Sequence, residues 1–272
     1  MLDGGAMFGV VPKSIWQKTN PANSDNMVKI AARCLLVEDG DRLVLIDAGM
    51  GDKQNKKFFS YYYRWGGETL EQSIKKCGFH PDDITDVFLT HLHFDHCGGA
   101  VIKTGENIYE TTFKNAKYWS NKSHWDWATS PNKREKASFL IENIDPIMRS
   151  GQLSFLEKDP INYLTESPLG FEVLFADGHT EKQMIPVINY RGQKFAFCAD
   201  LVPTSGHVPL PYIPGYDIRP LVSLKEKELF LNFCCENNVF LFFEHDAFEE
   251  VGSLHKTERG IRLNKTFKLS EL

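Results

Sequence analysis

An α/β fold with mixed β-sheets is the architecture the sequence predicts, on three observations. Short apolar runs arrive as hairpin pairs, helical periodicities separate those pairs, and 272 residues suffice for one such domain with a large core. Residues 31–37 and 43–46 are apolar runs joined by Glu38-Asp39-Gly40-Asp41, which predicts a hairpin. Asp47-Ala48-Gly49 ends its second strand. Leu70, Ile74 and Cys77 fall at helical spacing, and Gly78 supplies a C-terminal stop. Pro81-Asp82-Asp83 predicts a short turn or helix start, and Val87-Phe88-Leu89 a short buried strand. Residues 115–150 are expected to be mainly helical, with Ala137, Leu140, Ile141, Ile144 and Met148 on one apolar face. Phe171, Val173 and Phe175 alternate as in a strand. Residues 184–190 and 194–199 predict a second hairpin around Arg191-Gly192-Gln193. Residues 203–220 hold five prolines and two glycines, so a long, shaped loop is expected there. Leu224, Phe230, Phe233 and Cys234 predict a helix ending near Asn237-Asn238, followed by a strand over 239–243. No repeat or compositional break marks a linker, so residues 1–272 read as a single domain.

Composition narrows the function classes. Apolar residues make up 42% of the chain, which is globular rather than disordered. A net charge of −5 argues against nucleic acid as a partner, because phosphate binding needs clustered Lys and Arg. The longest apolar runs are far too short to span a bilayer. The six cysteines show no CxxC pair and no small-domain disulfide framework. A reducing compartment is expected, cytoplasm by default, although a removed N-terminal signal would be compatible with the same residues.

The chemistry concentrates in Thr90-His91-Leu92-His93-Phe94-Asp95-His96-Cys97-Gly98-Gly99, directly after the predicted strand at 87–89. Imidazole and carboxylate are the usual ligands of Zn²⁺ and similar ions. In an extended segment His91 and His93 point to one side, and a turn after them would aim Asp95 and His96 at a second, neighbouring cation. Gly98 and Gly99 permit tight backbone behind the ligands. The alternative is a polar loop whose histidines bond to backbone or solvent. Four ligand-type residues within six positions argue against it.

This run resembles the HxHxDH signature of the metallo-β-lactamase superfamily. The resemblance continues in order along the chain, through Asp177-Gly178-His179-Thr180, Ala199-Asp200 and Glu244-His245-Asp246. Asp47-Ala48-Gly49 is similar to the early Asp-x-Gly turn of that family. The resemblance implies an αββα sandwich, two mixed β-sheets flanked by helices. It also implies two divalent metal ions, one on His91, His93 and His179, the other on Asp95, His96 and His245, with Asp200 bridging them. Zn²⁺ is the expected metal, and Mn²⁺, Fe²⁺ or Co²⁺ would also fit. Two adjacent cations acidify a shared water, so hydrolysis by a metal-bridging hydroxide is the implied reaction. Asp95 and Asp200 are the candidate catalytic carboxylates, and Asp47 is expected to orient the loop by hydrogen bonds.

Among branches of the family, the chain is most similar to the N-acyl-homoserine lactonase, or quorum-quenching, group. The similarity rests on the residues from Asp3-Gly4-Gly5 to Pro12-Lys13, the HLHFDH run, and Ala199-Asp200-Leu201-Val202-Pro203-Thr204. That implies a lactone or ester substrate with an apolar acyl group. Phosphotriesterase or arylesterase activity in the same site is the alternative, and a mononuclear-iron enzyme like persulfide dioxygenase is a further one. One feature departs from the group: no Tyr follows the bridging Asp closely. Tyr212, Tyr216 or His207 in the proline-rich loop, together with Phe94, are the candidate substrate contacts. Met7, Phe8, Trp16, Trp119, Trp125 and Trp127 fit an acyl wall or ordinary core packing, packing being the commoner role for each. Cys97 and Cys198 flank ligands and are expected to be packing residues. A homodimer is compatible with the sequence.

Overall fold

The computed structural model describes residues 1–272. Its contacts divide the chain into two compact units, 32–162 and 1–31 with 163–272. Each contains one mixed sheet.

The unit of 32–162 is built on five strands whose spatial order equals their chain order: Leu35–Asp39, Arg42–Ile46, Asp86–Phe88, Lys117–Ser120 and Leu153–Phe155. The first pair is the predicted hairpin, turned by Gly40 at a φ of 59°. The other pairings are parallel. Val87, Leu89, Leu92, Ile74, Ile144 and Ile147 share one buried cluster under this sheet. Each such side chain contributes roughly 1.5–3 kcal/mol on burial. The helix Leu70–Lys76 starts on a Thr69–Gln72 capping box and ends before Gly78, as predicted.

The expectation for 115–150 needs correction. Lys117–Ser120 is a strand, and only Lys122–Thr129 and Ile141–Arg149 are helical there. The four-residue strand is too short to break the helical periodicity of its neighbours. The buried face of the second helix is Asn143, Ile144, Pro146 and Ile147, while Ile141 and Met148 are exposed.

The second unit carries seven strands in the order Thr165–Glu166, Glu172–Ala176, Gln183–Tyr190, Gln193–Phe197, Phe240–Phe242, Val251–Thr257 and Gly260–Phe267. All its pairs are antiparallel except Gln193–Phe197 with Phe240–Phe242. The 17-residue helix Pro220–Glu236 lies in the crossover between these two parallel strands. Phe171, Val173, Leu174 and Phe175 are all buried, so both faces of that strand are covered. At the N-terminus, Asp3 caps the helix Gly4–Phe8, and Met7, Phe8, Trp16 and Val28 form a separate cluster. A Cβ on Gly4 would lie 2.3 Å from the Trp16 ring, so only glycine fits this approach. No helix is long and apolar enough to cross a membrane.

Candidate metal centre

In the unit of 32–162, strand register places the chemistry. Ile46 pairs with Phe88, so Asp47 and the residues after Phe88 leave two adjacent parallel strands at the same carboxyl edge. Asp47 takes a positive φ of 55° and is wholly buried. Its Oδ1 accepts the Thr90 amide at 2.8 Å, and its Oδ2 accepts the Thr90 hydroxyl at 2.7 Å and His96 Nδ1–H at 2.9 Å.

These bonds assign tautomers. A carboxylate only accepts, so the single Thr90 hydroxyl proton goes to Asp47. The Thr90 oxygen therefore accepts from His91 Nδ1–H, 3.1 Å away. His91 and His96 are both left with an unprotonated Nε2. His93 directs Nε2 at the buried Glu135 carboxylate, 3.5 Å away, and Nδ1 at His91 Nε2, 3.1 Å away. At this distance His93 Nδ1–H can donate to His91 Nε2, and without that proton the two lone pairs would face a cation. The donor set thus fits a divalent metal.

After the histidine pair the chain closes into the one-turn helix Phe94–Cys97, which carries Asp95 and the buried His96. Asp95 Oδ1 lies 3.9 Å from His96 Nε2, and its side chain is 24% exposed, enough to meet a substrate. Gly98 and Gly99 matter through close approach. Cβ atoms there would sit 2.1 Å from the Met50 and Ala48 carbonyl oxygens. The buried His124 accepts the Leu92 amide at Nε2, 2.8 Å, and so steadies the loop from behind. Burial pushes the Cys97 thiol up to about 12, and its Sγ–H donates to Leu92 O; it packs, as expected.

In the other unit, His179, Asp200 and His245 each stand three residues beyond the last residue of a strand, after Ala176, Phe197 and Phe242. Phe197 pairs with Phe242 in parallel, so Asp200 and His245 emerge side by side. His179 Nδ1–H donates to the buried Asp217 at 3.0 Å, leaving Nε2 facing Asp200 Oδ2 at 3.2 Å. His245 Nδ1–H donates to Ala31 O at 2.8 Å, leaving Nε2 facing Asp200 Oδ1 at 3.6 Å. Asp200 is thus flanked by two imidazoles, with Gln183 Oε1 accepting its amide at 3.3 Å.

Tyr216 closes this half. Its hydroxyl donates to Asp200 Oδ1 at 3.0 Å, and its ring meets His179 edge-on. Tyr212 is half-buried against the Met7–Phe8–Trp16–Val28 cluster. His207 is placed otherwise than expected. It is fully buried and stacked on Phe8, with Nε2–H at Met7 O and Nδ1 accepting from the Thr204 hydroxyl, and burial takes its ring down to about 3. It packs the loop and cannot reach a substrate. Cys198 is likewise buried, its thiol well above the ordinary range.

Of the expected acyl wall, Met7, Phe8, Trp16, Trp119 and Trp125 are core residues. Trp127 donates to Glu135. Phe94 is half-buried, edge-on to Phe58 at 5.2 Å and tilted to Tyr62 at 5.0 Å. Sequence reasoning missed Thr90, His124, Glu135, Gln183 and Asp217. Only Thr90, adjacent to the first candidate ligand, carried a visible signal.

The chain matches the metallo-beta-lactamase superfamily over residues 30–232 and belongs to it. Among curated relatives, an N-acyl homoserine lactonase of Bacillus cereus is 27% identical over 34% of this chain and 42% of its own length. The matches span only 33% to 42% of the length of the curated relatives, two mycobacterial probable metallo-hydrolases among them. A solved probable metal-dependent hydrolase from Staphylococcus aureus superposes with a TM-score of 0.87 at 27% identity, covering 98% of this chain and 92% of the other. AidC, a dizinc quorum-quenching lactonase solved with its N-hexanoyl-L-homoserine product, superposes with a TM-score of 0.76 at 22% identity, covering 97% and 90%.

Proposed function

We propose that this protein is a two-metal hydrolase of lactones or related esters with an apolar acyl group. His91, His93 and His179 would hold one metal, Asp95, His96 and His245 the other, with Asp200 shared between them. On this reading residues 1–272 act as one domain, since neither unit holds a full ligand set. One observation carries the proposal. Four of the five histidines hydrogen-bond through one ring nitrogen to Thr90, Asp47, Asp217 or the Ala31 carbonyl, and His93 Nε2 faces Glu135 at 3.5 Å, which leaves the other nitrogen of each for a metal. The mixed imidazole and carboxylate set suits Zn²⁺.

Bound divalent cations would supply an acidified water and a Lewis acid for the scissile carbonyl. The chain's own residues do the rest. Tyr216, whose one proton goes to Asp200, would donate it to the oxygen that gains charge once Asp200 is turned to the metals, standing in for the Tyr absent beside Asp200. The partly exposed Asp95 is placed to move a proton to the leaving oxygen. Phe94, Phe58 and Tyr62 offer an apolar surface next to the metal loop for the acyl group. Tyr216→Phe is expected to lower kcat/KM about 10²-fold, the loss typical of one oxyanion donor, with an unchanged thermal midpoint. Steady-state kinetics beside a melting curve checks this.

The proposal is tested on Zn²⁺-loaded protein with an N-acyl-homoserine lactone, an aryl ester and a phosphotriester in parallel, before and after chelation. Lactone cleavage that chelation abolishes, with two metals per chain, is the expected result. Faster phosphotriester turnover would transfer the assignment to that substrate class. Full activity with one iron per chain would overturn the two-metal reading.

A further inference from the structure

The helix Pro220–Glu236 carries a lysine where an apolar residue would pack. Lys227 is fully buried, on the same helix as buried Ser223, Phe230, Leu231 and Cys234. Its ammonium donates to two main-chain carbonyls of the proline-rich loop, Pro209 O at 3.0 Å and Tyr212 O at 2.8 Å. Burying an ammonium is costly unless hydrogen bonds replace its water. Burial accordingly lowers Lys227 to about 7, while Asp217 draws it back up.

What the lysine holds leads to the metal ligands. The anchored loop continues into Tyr216, bonded to Asp200, and Asp217, bonded to His179. The preceding residue, Glu226, accepts the amides of Asp177 and Gly178, which form the turn presenting His179. Arg219, at the start of the same helix, donates to Asp177 O. A Cβ on Gly178 would lie 2.3 Å from Ser223 N, so the turn lies directly on the helix. The first half of one helix therefore holds the turn of His179 and the loop that carries Asp217.

We infer that Lys227 is a positioning residue of the metal centre, anchoring residues 209–217 so that Asp217 and Tyr216 meet His179 and Asp200. The inference rests on the two-metal reading for its purpose but not for its geometry. Pro209 and Tyr212 are only half-buried, so their carbonyls can turn to water once the ammonium is gone. The loop would then shift while the fold persists.

The test compares wild type, Lys227→Met and Lys227→Gln, each loaded with Zn²⁺, by amide hydrogen exchange, by the rate of Zn²⁺ loss to EDTA, and by melting. Exchange over 210–218 and Zn²⁺ loss are each expected to rise about 10-fold or more, with the sheets and the thermal midpoint unchanged. Unchanged exchange over 210–218 in both variants would overturn the inference. So would a uniform rise along the chain, which is the mark of a merely structural lysine. If Lys227→Met does not fold, Lys227→Gln, which keeps a donor of shorter reach, is read by the same outcomes. None of these readouts needs a substrate. Absence of lactone cleavage by the wild type, together with local loosening in the variants, would sink the substrate assignment alone.

Discussion

Asp200→Ala is expected to lower hydrolysis by at least about 10²-fold and to leave less than two metals per chain after dialysis. Loss of an outer partner of a metal ligand alone typically costs about 10–100-fold in metal affinity, and Asp200 is proposed as a ligand to both ions. Its carboxylate also has three polar contacts, with His179 Nε2, His245 Nε2 and the Tyr216 hydroxyl. Alanine removes the acceptor that Tyr216 uses and the anion proposed to balance two cations. Metal analysis with steady-state kinetics measures both losses. Cys198→Ala is the control: its Sγ hydrogen-bonds the Ala196 carbonyl and no proposed ligand, and the variant should bind metal and turn over almost as wild type. A metal-replete Asp200→Ala enzyme with near-normal turnover would remove the bridging assignment.

The parts of this molecule that were legible in sequence are those whose causes are local. Gly40 and Gly192, at φ of 59° and 82°, mark two hairpin turns and gave away their strands. The first four proposed ligands share one loop, because consecutive positions after a buried strand must emerge together. His179, Asp200 and His245 were recognisable only through their order along a known pattern. Lys117–Ser120 was lost inside a helical window. The final hairpin, Val251–Thr257 with Gly260–Phe267, was hidden by polar residues on a half-exposed pair of strands.

The supporting residues are a different case. Asp217 and Glu135 are ordinary carboxylates in sequence, and only tertiary structure brings each against an imidazole. Lys227 reads as a solvated helix position, yet it is buried because the loop carbonyls come to it. His207 shows the converse. Its place in a loop rich in turn residues suggested access, whereas stacking on Phe8 commits it to the interior.

Asp47→Asn is expected to do the most damage for the least change in shape. Asparagine is isosteric and tolerates the positive φ at this position, so the fold should persist. Hydrogen-bond direction is what changes. If the amide oxygen keeps the Thr90 N–H, its NH₂ replaces the oxygen that accepts from the Thr90 hydroxyl and from His96 Nδ1–H. The Thr90 hydroxyl must then accept from Asn and donate to His91 Nδ1, which moves the His91 proton to Nε2. His96 must accept at Nδ1, and its proton also moves to Nε2. If the amide flips, its NH₂ instead opposes the Thr90 N–H and the loop entry is lost. In the first arrangement one substitution protonates the metal-facing nitrogen of two ligands. His91 and His96 are proposed on different ions, so each ion is expected to lose about 10–100-fold in affinity, and activity at limiting Zn²⁺ should fall with it. Zn²⁺ titration against a competing chelator gives the affinity, and ¹⁵N spectra of the imidazoles report which nitrogen carries the proton. Wild-type affinity with unchanged His91 and His96 tautomers would show that Asp47 does not set them.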